Sequence, residues 1–166
     1  GSEMCIRDRV HTPTIRYRCL MMDVMTQREN GATGSIVAAN VSRYRKALGL
    51  SYRTLSRRLS DGGHPIVHTQ LRNIEIGLRR VTADDLTALA VALEVSPLSL
   101  LMPETASEDV PCEITGLSGF LSSLDVWRWG LCASRQGVLP DSGDAAQDAL
   151  FRRRSAPAVD GDGRLP

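Results

Sequence analysis

Ile66-Val67-His68-Thr69-Gln70-Leu71-Arg72-Asn73-Ile74-Glu75-Ile76-Gly77 reads as a short helix with a divided surface. Leu71 and Ile74 stand three apart, the spacing that puts two apolar side chains on one helix face. His68, Thr69, Gln70, Arg72 and Asn73 are then directed outward. Gln, Asn and Arg make paired hydrogen bonds to base edges, and Arg also holds phosphate. Gly77 supplies a left-handed stop, and Arg79-Arg80 follow directly. A helix over 67–76 draws little stability from its own length and displays its polar side, which suits an element laid in a DNA groove.

The flanking sequence supplies a scaffold. From Ser35, Val37, Val41, Tyr44 and Leu48 recur at helical spacing, with Arg43 and Lys46 off that stripe and Gly49 as the terminator. Ser51 is placed to cap a second helix over 52–60, with Leu55 and Leu59 as its buried pair. Asp61-Gly62-Gly63-His64-Pro65 breaks it. Thr82 is placed to cap a fourth helix, with Asp84 and Asp85 in the turn where the helix dipole favours negative charge. Leu86, Leu89, Ala90 and Leu93 then follow one face. Ser96-Pro97 opens a fifth helix, in which Leu98, Leu101 and Met102 are expected to close the core before Pro103. The prediction is an all-α fold, five short helices forming one compact domain over 34–103.

The remainder is less regular. Residues 1–33 show no sustained period and are expected to be a disordered arm. Gly1-Ser2 reads as a cloning scar, and Met4-Cys5-Ile6-Arg7-Asp8-Arg9 resembles translated adapter sequence, so the natural start is expected at Met21, Met22 or Met25. Residues 104–139 read as a linker with an amphipathic helix over 117–132, carried by Leu117, Phe120, Leu121, Leu124, Trp127 and Leu131 and weakened by Gly116, Gly119 and Gly130. Residues 140–166, rich in Pro, Gly, Ala, Asp and Arg, are expected to be a disordered tail.

A net charge of +1 over 166 residues conceals a division. Residues 36–80 hold nine Arg/Lys against two acids, whereas 81–110 hold six acids and no Arg or Lys. The basic part attracts a polyanion, and the acidic part keeps the rest of the molecule away from it. The four cysteines, at 5, 19, 112 and 132, form no Cys-x-x-Cys pair, so neither a metal site nor a disulfide framework is expected. No apolar run has the length of a membrane span, and no secretory signal is recognisable. A cytoplasmic protein with reduced thiols is expected. His11, His64 and His68 lack an ordered set of catalytic partners, and neither a nucleophile elbow nor a phosphate loop is present. The chain is therefore not read as an enzyme, and no cofactor or metal is expected.

The order of these signals in 36–103 resembles the phage-repressor helix-turn-helix family of Cro/cI (XRE) type. The resemblance is carried by Leu48-Gly49-Leu50-Ser51, Leu55, Ile74-Glu75-x-Gly77, and Asp85-Leu86-x-x-Leu89-Ala90-x-Ala92-Leu93 before Val95-Ser96. It implies a five-helix Cro/cI-like domain whose third helix enters the major groove, N-terminal end toward the bases. On that match His68, Thr69 and Asn73 contact bases, and Gln70 and Arg72 flank them and touch base or phosphate. Tyr52, Arg53, Arg79 and Arg80 hold the sugar-phosphate backbone. Arg45 and Glu75 form a structural ion pair. Three features depart from the pattern. Tyr52 stands where glutamine is common, the turn before helix three is lengthened by Asp61-Gly62-Gly63-His64-Pro65, and Glu94 replaces a helix-ending glycine, which fits a helix that ends without a left-handed residue.

The resemblance implies sequence-specific binding of double-stranded DNA by a transcriptional regulator, read as a repressor, acting as a homodimer. Helix five and 117–132, with Trp127 and Trp129, are candidates for the dimer surface or for a protein partner. The alternative is that these tryptophans pack back on the domain. Two other functions stay open: an antitoxin that binds DNA and a toxin, and a protein-interaction module that has lost DNA binding.

Overall fold

The computed structural model describes residues 30–155, apart from 118, 120, 136 and 140–144. The arm over 1–29, with its candidate start methionines, and the last residues of the tail lie outside the described residues. The described chain is mostly helical: α1 (Ala32–Ala47), α2 (Tyr52–Asp61), α3 (His68–Glu75), α4 (Ala83–Ala92), α5 (Pro97–Leu101), β1 (Pro111–Cys112), β2 (Leu121–Ser122), α6 (Ser123–Gly130) and α7 (Ala145–Ser155). Among the described residues no helix is long and apolar enough to cross a membrane.

Short side chains begin most of these helices. Ser51 accepts from Thr54 N at α2, and Ser96 accepts from Ser99 N at α5, where Pro97 occupies the first helical position. Thr82 and Asp85 form a reciprocal capping box at α4. Gly49 and Gly77 have φ of +64° and +77°, the left-handed region that glycine enters at no steric cost. Glu94 enters the same region, with φ of +60°. This corrects the expectation that α4 ends without a left-handed residue. Arg58 Nη1 compensates by donating to Ala92 O at 3.0 Å and Glu94 Oε1 at 2.8 Å.

Helices α1 to α5 enclose one apolar cluster, with Val37, Val41, Leu55, Leu59, Ile66, Leu71, Ile74, Leu89, Leu93 and Leu100 buried. Each fully buried aliphatic side chain contributes about 1.5–3 kcal/mol. Two expectations are corrected. Leu48 is exposed, and α1 instead buries Asn40 and Arg45 beside Val37 and Val41. In α5, Leu100 is the fully buried side chain of this core and Leu101 packs against it part-covered, whereas Leu98 and Met102 turn to a second cluster. Asn40 is tolerated because all of its capacity is used: Nδ2 donates to Leu100 O at 3.1 Å and Met102 O at 2.8 Å, and Oδ1 accepts from Arg43.

Residues 104–139 are not a linker. Pro111 and Cys112 pair antiparallel with Ser122 and Leu121. The predicted 117–132 helix begins only at Ser123, because Gly116 and Gly119 hold φ of +93° and +103° and Ser122 caps α6 by accepting from Asp125 N. A second cluster of Met102, Cys112, Ile114, Val126 and Val138 forms against Ile36, Leu98 and Leu101 of the helical domain. Trp127 Nε1 donates to Pro103 O at 2.9 Å, and both tryptophans pack on this cluster. Gly31 gives α1 no side-chain cap. Thr115 compensates: its Oγ1 accepts from Thr33 N at 3.3 Å, and its N–H donates to Thr33 Oγ1 at 3.0 Å. Within the tail predicted to be unstructured over 140–166, the described residues form α7, which buries no side chain fully.

Candidate nucleic-acid interface

Helix α3 has too few residues to persist alone. Two features seat it. Leu71 and Ile74 are fully buried, and Glu75, at the last helical position, is locked to the body of the domain. Arg45 of α1 meets Glu75 with both ends of its fork, Nε to Oε1 at 2.6 Å and Nη2 to Oε2 at 2.9 Å, and its Nη1 donates to Leu50 O at 2.9 Å. Such two-pronged charge-assisted contacts fix direction as well as distance. The Arg45 guanidinium also lies over the Tyr52 ring, 4.1 Å from its centre. The Glu75 side chain is 4% exposed. Burial pushes its carboxyl toward the neutral form, but hydrogen bonds from Arg45, Tyr52 and Ser42 outweigh that and hold it below the usual carboxylate range. The hydrogen bond to Glu75 raises Arg45 in turn.

Tyr52 belongs to this group. Its hydroxyl donates to Glu75 Oε2 at 2.9 Å, and burial followed by the Glu75 contact raises its pKa. The structure therefore places this predicted backbone contact on an internal carboxylate.

On the outer side, His68, Thr69, Gln70 and Arg72 are exposed and Asn73 is half-buried. His68 and Arg72 are four apart, as are Thr69 and Asn73, so two adjacent rows run along the helix. Val67 stands at the N-cap of α3 and provides no side-chain cap. A helix start of this kind favours a negative group, a feature that the residue pattern did not reveal.

The arginines of α1, α2 and the loop after α3 divide. Arg53, Arg57 and Arg80 are exposed; Arg53 and Arg57 share one face of α2, opposite buried Leu55 and Leu59. Arg79 is turned inward, with Nη2 3.1 Å from Asp85 Oδ2. Arg58 is tied to Ala92 and Glu94, and Arg43 lies over the Tyr44 ring, 4.1 Å from its centre. The lengthened turn is fastened at two points that sequence reasoning missed. Ile66 is buried in the core with its carbonyl accepting from Ser56 Oγ at 2.7 Å, and His64 Nε2 lies 2.9 Å from Asp85 Oδ1. The angle between α2 and α3 is thus set by side-chain contacts, not by a tight turn.

Among the described residues no three His, Cys, Asp or Glu side chains gather as a metal site. Comparison of the chain with protein-family models, with curated proteins and with solved structures yields no match.

Proposed function

We propose that the chain binds double-stranded DNA in a sequence-dependent way through α3, as a transcriptional regulator of phage-repressor (Cro/cI, XRE) type, and that α1 to α5 are the five-helix domain of that family. One observation carries the reading. A short helix with its apolar side in the core and its last carboxylate gripped by Arg45 displays His68, Thr69, Gln70 and Arg72 on the opposite side. Nothing in the packing of α3 requires that run of polar side chains. Reading a major groove does.

In this mechanism Arg53, Arg57 and Arg80 meet phosphate and supply affinity without regard to sequence. Arg72 adds a contact to base or phosphate. Four such contacts give a slope of log affinity against log salt of about −3.6 per domain. His68, Thr69, Gln70 and Asn73 read base edges, a good two-bonded pair discriminating by about 1–3 kcal/mol. One domain covers few base pairs, so a homodimer on a two-fold site, with half-sites ~34 Å apart, completes the recognition. Its regulatory effect is repression, exerted in the cytoplasm without cofactor or catalysis. The antitoxin alternative gains little support, because Trp127 and Trp129 of α6 already pack on the rest of the chain.

Selection of bound duplexes from a random pool at defined salt tests the reading. The expected product is a two-fold motif. Asn73→Ala relaxes preference at one base position, while Arg53→Ala weakens every sequence alike. Recovery of no motif at low salt refutes it.

A further inference from the structure

Pieces of chain from both sides of α3 converge on one buried carboxylate. Asp85, in the first turn of α4, has a side chain only 4% exposed. Its Oδ1 accepts from His64 Nε2 at 2.9 Å, and its Oδ2 accepts from Thr82 N at 3.2 Å. Arg79 Nη2 donates to both oxygens, at 3.3 and 3.1 Å. His64 comes from the turn that enters α3, and Arg79 from the loop that leaves it. The Arg79 main chain is fastened as well: Leu78 N and Arg79 N both donate to Asn73 O, at 2.8 and 3.1 Å. Arg79 Nη1 is buried, with no hydrogen-bond partner among the described residues. The Arg79 side chain is 29% exposed, but with Nη2 on the Asp85 carboxylate and Nη1 shut away from solvent its guanidinium is badly placed to meet a phosphate outside.

We propose that His64, Asp85 and Arg79 form a positioning clamp that grips both ends of α3 and sets its pitch against the scaffold, and that Arg79 acts through Asp85, not on DNA phosphate. The consequence for DNA rests on the function proposed for α3, whereas the clamp itself is a property of the free protein. It also gives the lengthened turn a task. Ile66 and the Ser56 contact hold the turn in place, and the extra residues carry His64 to Asp85. His64, Asp85 and Arg79 are positioning residues; base and phosphate contacts remain with α3, Arg53, Arg57 and Arg80.

The test uses the full chain and the duplex recovered by selection, comparing Arg79→Ala and His64→Ala with Arg53→Ala as a phosphate reference. Affinity is measured across a salt series, and amide hydrogen exchange of residues 68–73 is followed in the free protein. Arg53→Ala is expected to flatten the salt slope by about 0.9. Arg79→Ala and His64→Ala are expected to leave the slope unchanged, to lower affinity about ten-fold at fixed salt through loss of a charged hydrogen bond, and to speed exchange in 68–73. Loss of a full unit of slope in Arg79→Ala, or unaltered exchange in both clamp variants, overturns the proposal. Should Arg79→Ala fail to fold, Asp85→Asn, which keeps an oxygen for the α4 cap, replaces it. If the unmodified chain binds no duplex at any salt, the assignment of α3 to DNA fails, and the exchange comparison alone still decides the clamp.

Discussion

The cluster inside α1 to α5 and the cluster around Val126 are both apolar, yet the backbone delivers them differently. The first is assembled from helices whose buried residues recur at three and four, bounded by Ser51, Thr82 and Ser96 caps and by Gly49 and Gly77 stops. The second is assembled from a strand pair, one short helix and irregular chain, with Met102, Cys112, Ile114 and Val138 each from a different local conformation. Its order comes from long-range bonds, such as the two between Ser107 and Ser123. A repeating core announces itself in the sequence, whereas one built from single contacts does not, even when both are buried.

Substitutions in the two regions measure that difference. The largest effect is expected from Glu75→Ala, which strands Arg45 without its partner and lowers stability by about 3–5 kcal/mol in urea unfolding. Leu71→Ala, beneath the outward face of α3, should cost about 2–5 kcal/mol and, on the proposed function, weaken DNA binding with it. Val126→Ala in the second cluster should cost about 2 kcal/mol, the loss of two buried methyl groups with a small cavity. If the clusters form one cooperative unit, Leu71→Ala and Val126→Ala shift the same single transition. Two resolved transitions would make the second cluster a separately melting annex. Thr115→Ala, at the seam, should cost about 1 kcal/mol and speed exchange of the Thr33 amide.

Acid offers a further contrast, because the depressed carboxyls belong to the first region. Glu75 and Asp85 are both held below their ordinary range, burial being outweighed by hydrogen bonds from Arg45 and Tyr52 in one case and from His64 and Thr82 in the other. The unfolded chain therefore takes up protons first as pH falls. Stability from these groups is complete above the ordinary carboxylate range, about 3.9–4.3, and is lost as pH drops through the lower folded values. A series of urea midpoints from about pH 6 down to pH 3 should show the decline, and Glu75→Gln should make it shallower.

The legible parts of the fold were those in which a residue acts on its near neighbours. Ser51 caps within three positions, Gly77 bends its own backbone, and Leu71 and Ile74 face the same way because the helix turns as it does. The Arg45–Glu75 geometry was indicated by family resemblance and could not have come from periodicity, since the partners lie thirty residues apart. The unread parts depend on distant contacts. Asn40 is buried because the end of α5 offers carbonyls, and Ile66 because the turn folds inward over Ser56. Glu94 takes a glycine-like conformation while its carboxylate meets Arg58. At the candidate interface, the outward residues of α3 were visible from spacing, but the internal duties of Tyr52 and Arg79 were not. A cation in a sequence carries no sign of whether its counter-ion is solvent, nucleic acid or its own chain.

The exchange between Thr33 and Thr115 has a consequence during synthesis. When the ribosome has released every residue through Pro103, all five helices of the first region are available, but the opening turn of α1 still lacks the hydroxyl that finishes it, 82 positions downstream. The N-terminal turn of α1 is therefore completed only once Thr115 has emerged, long after the rest of that helix has left the ribosome.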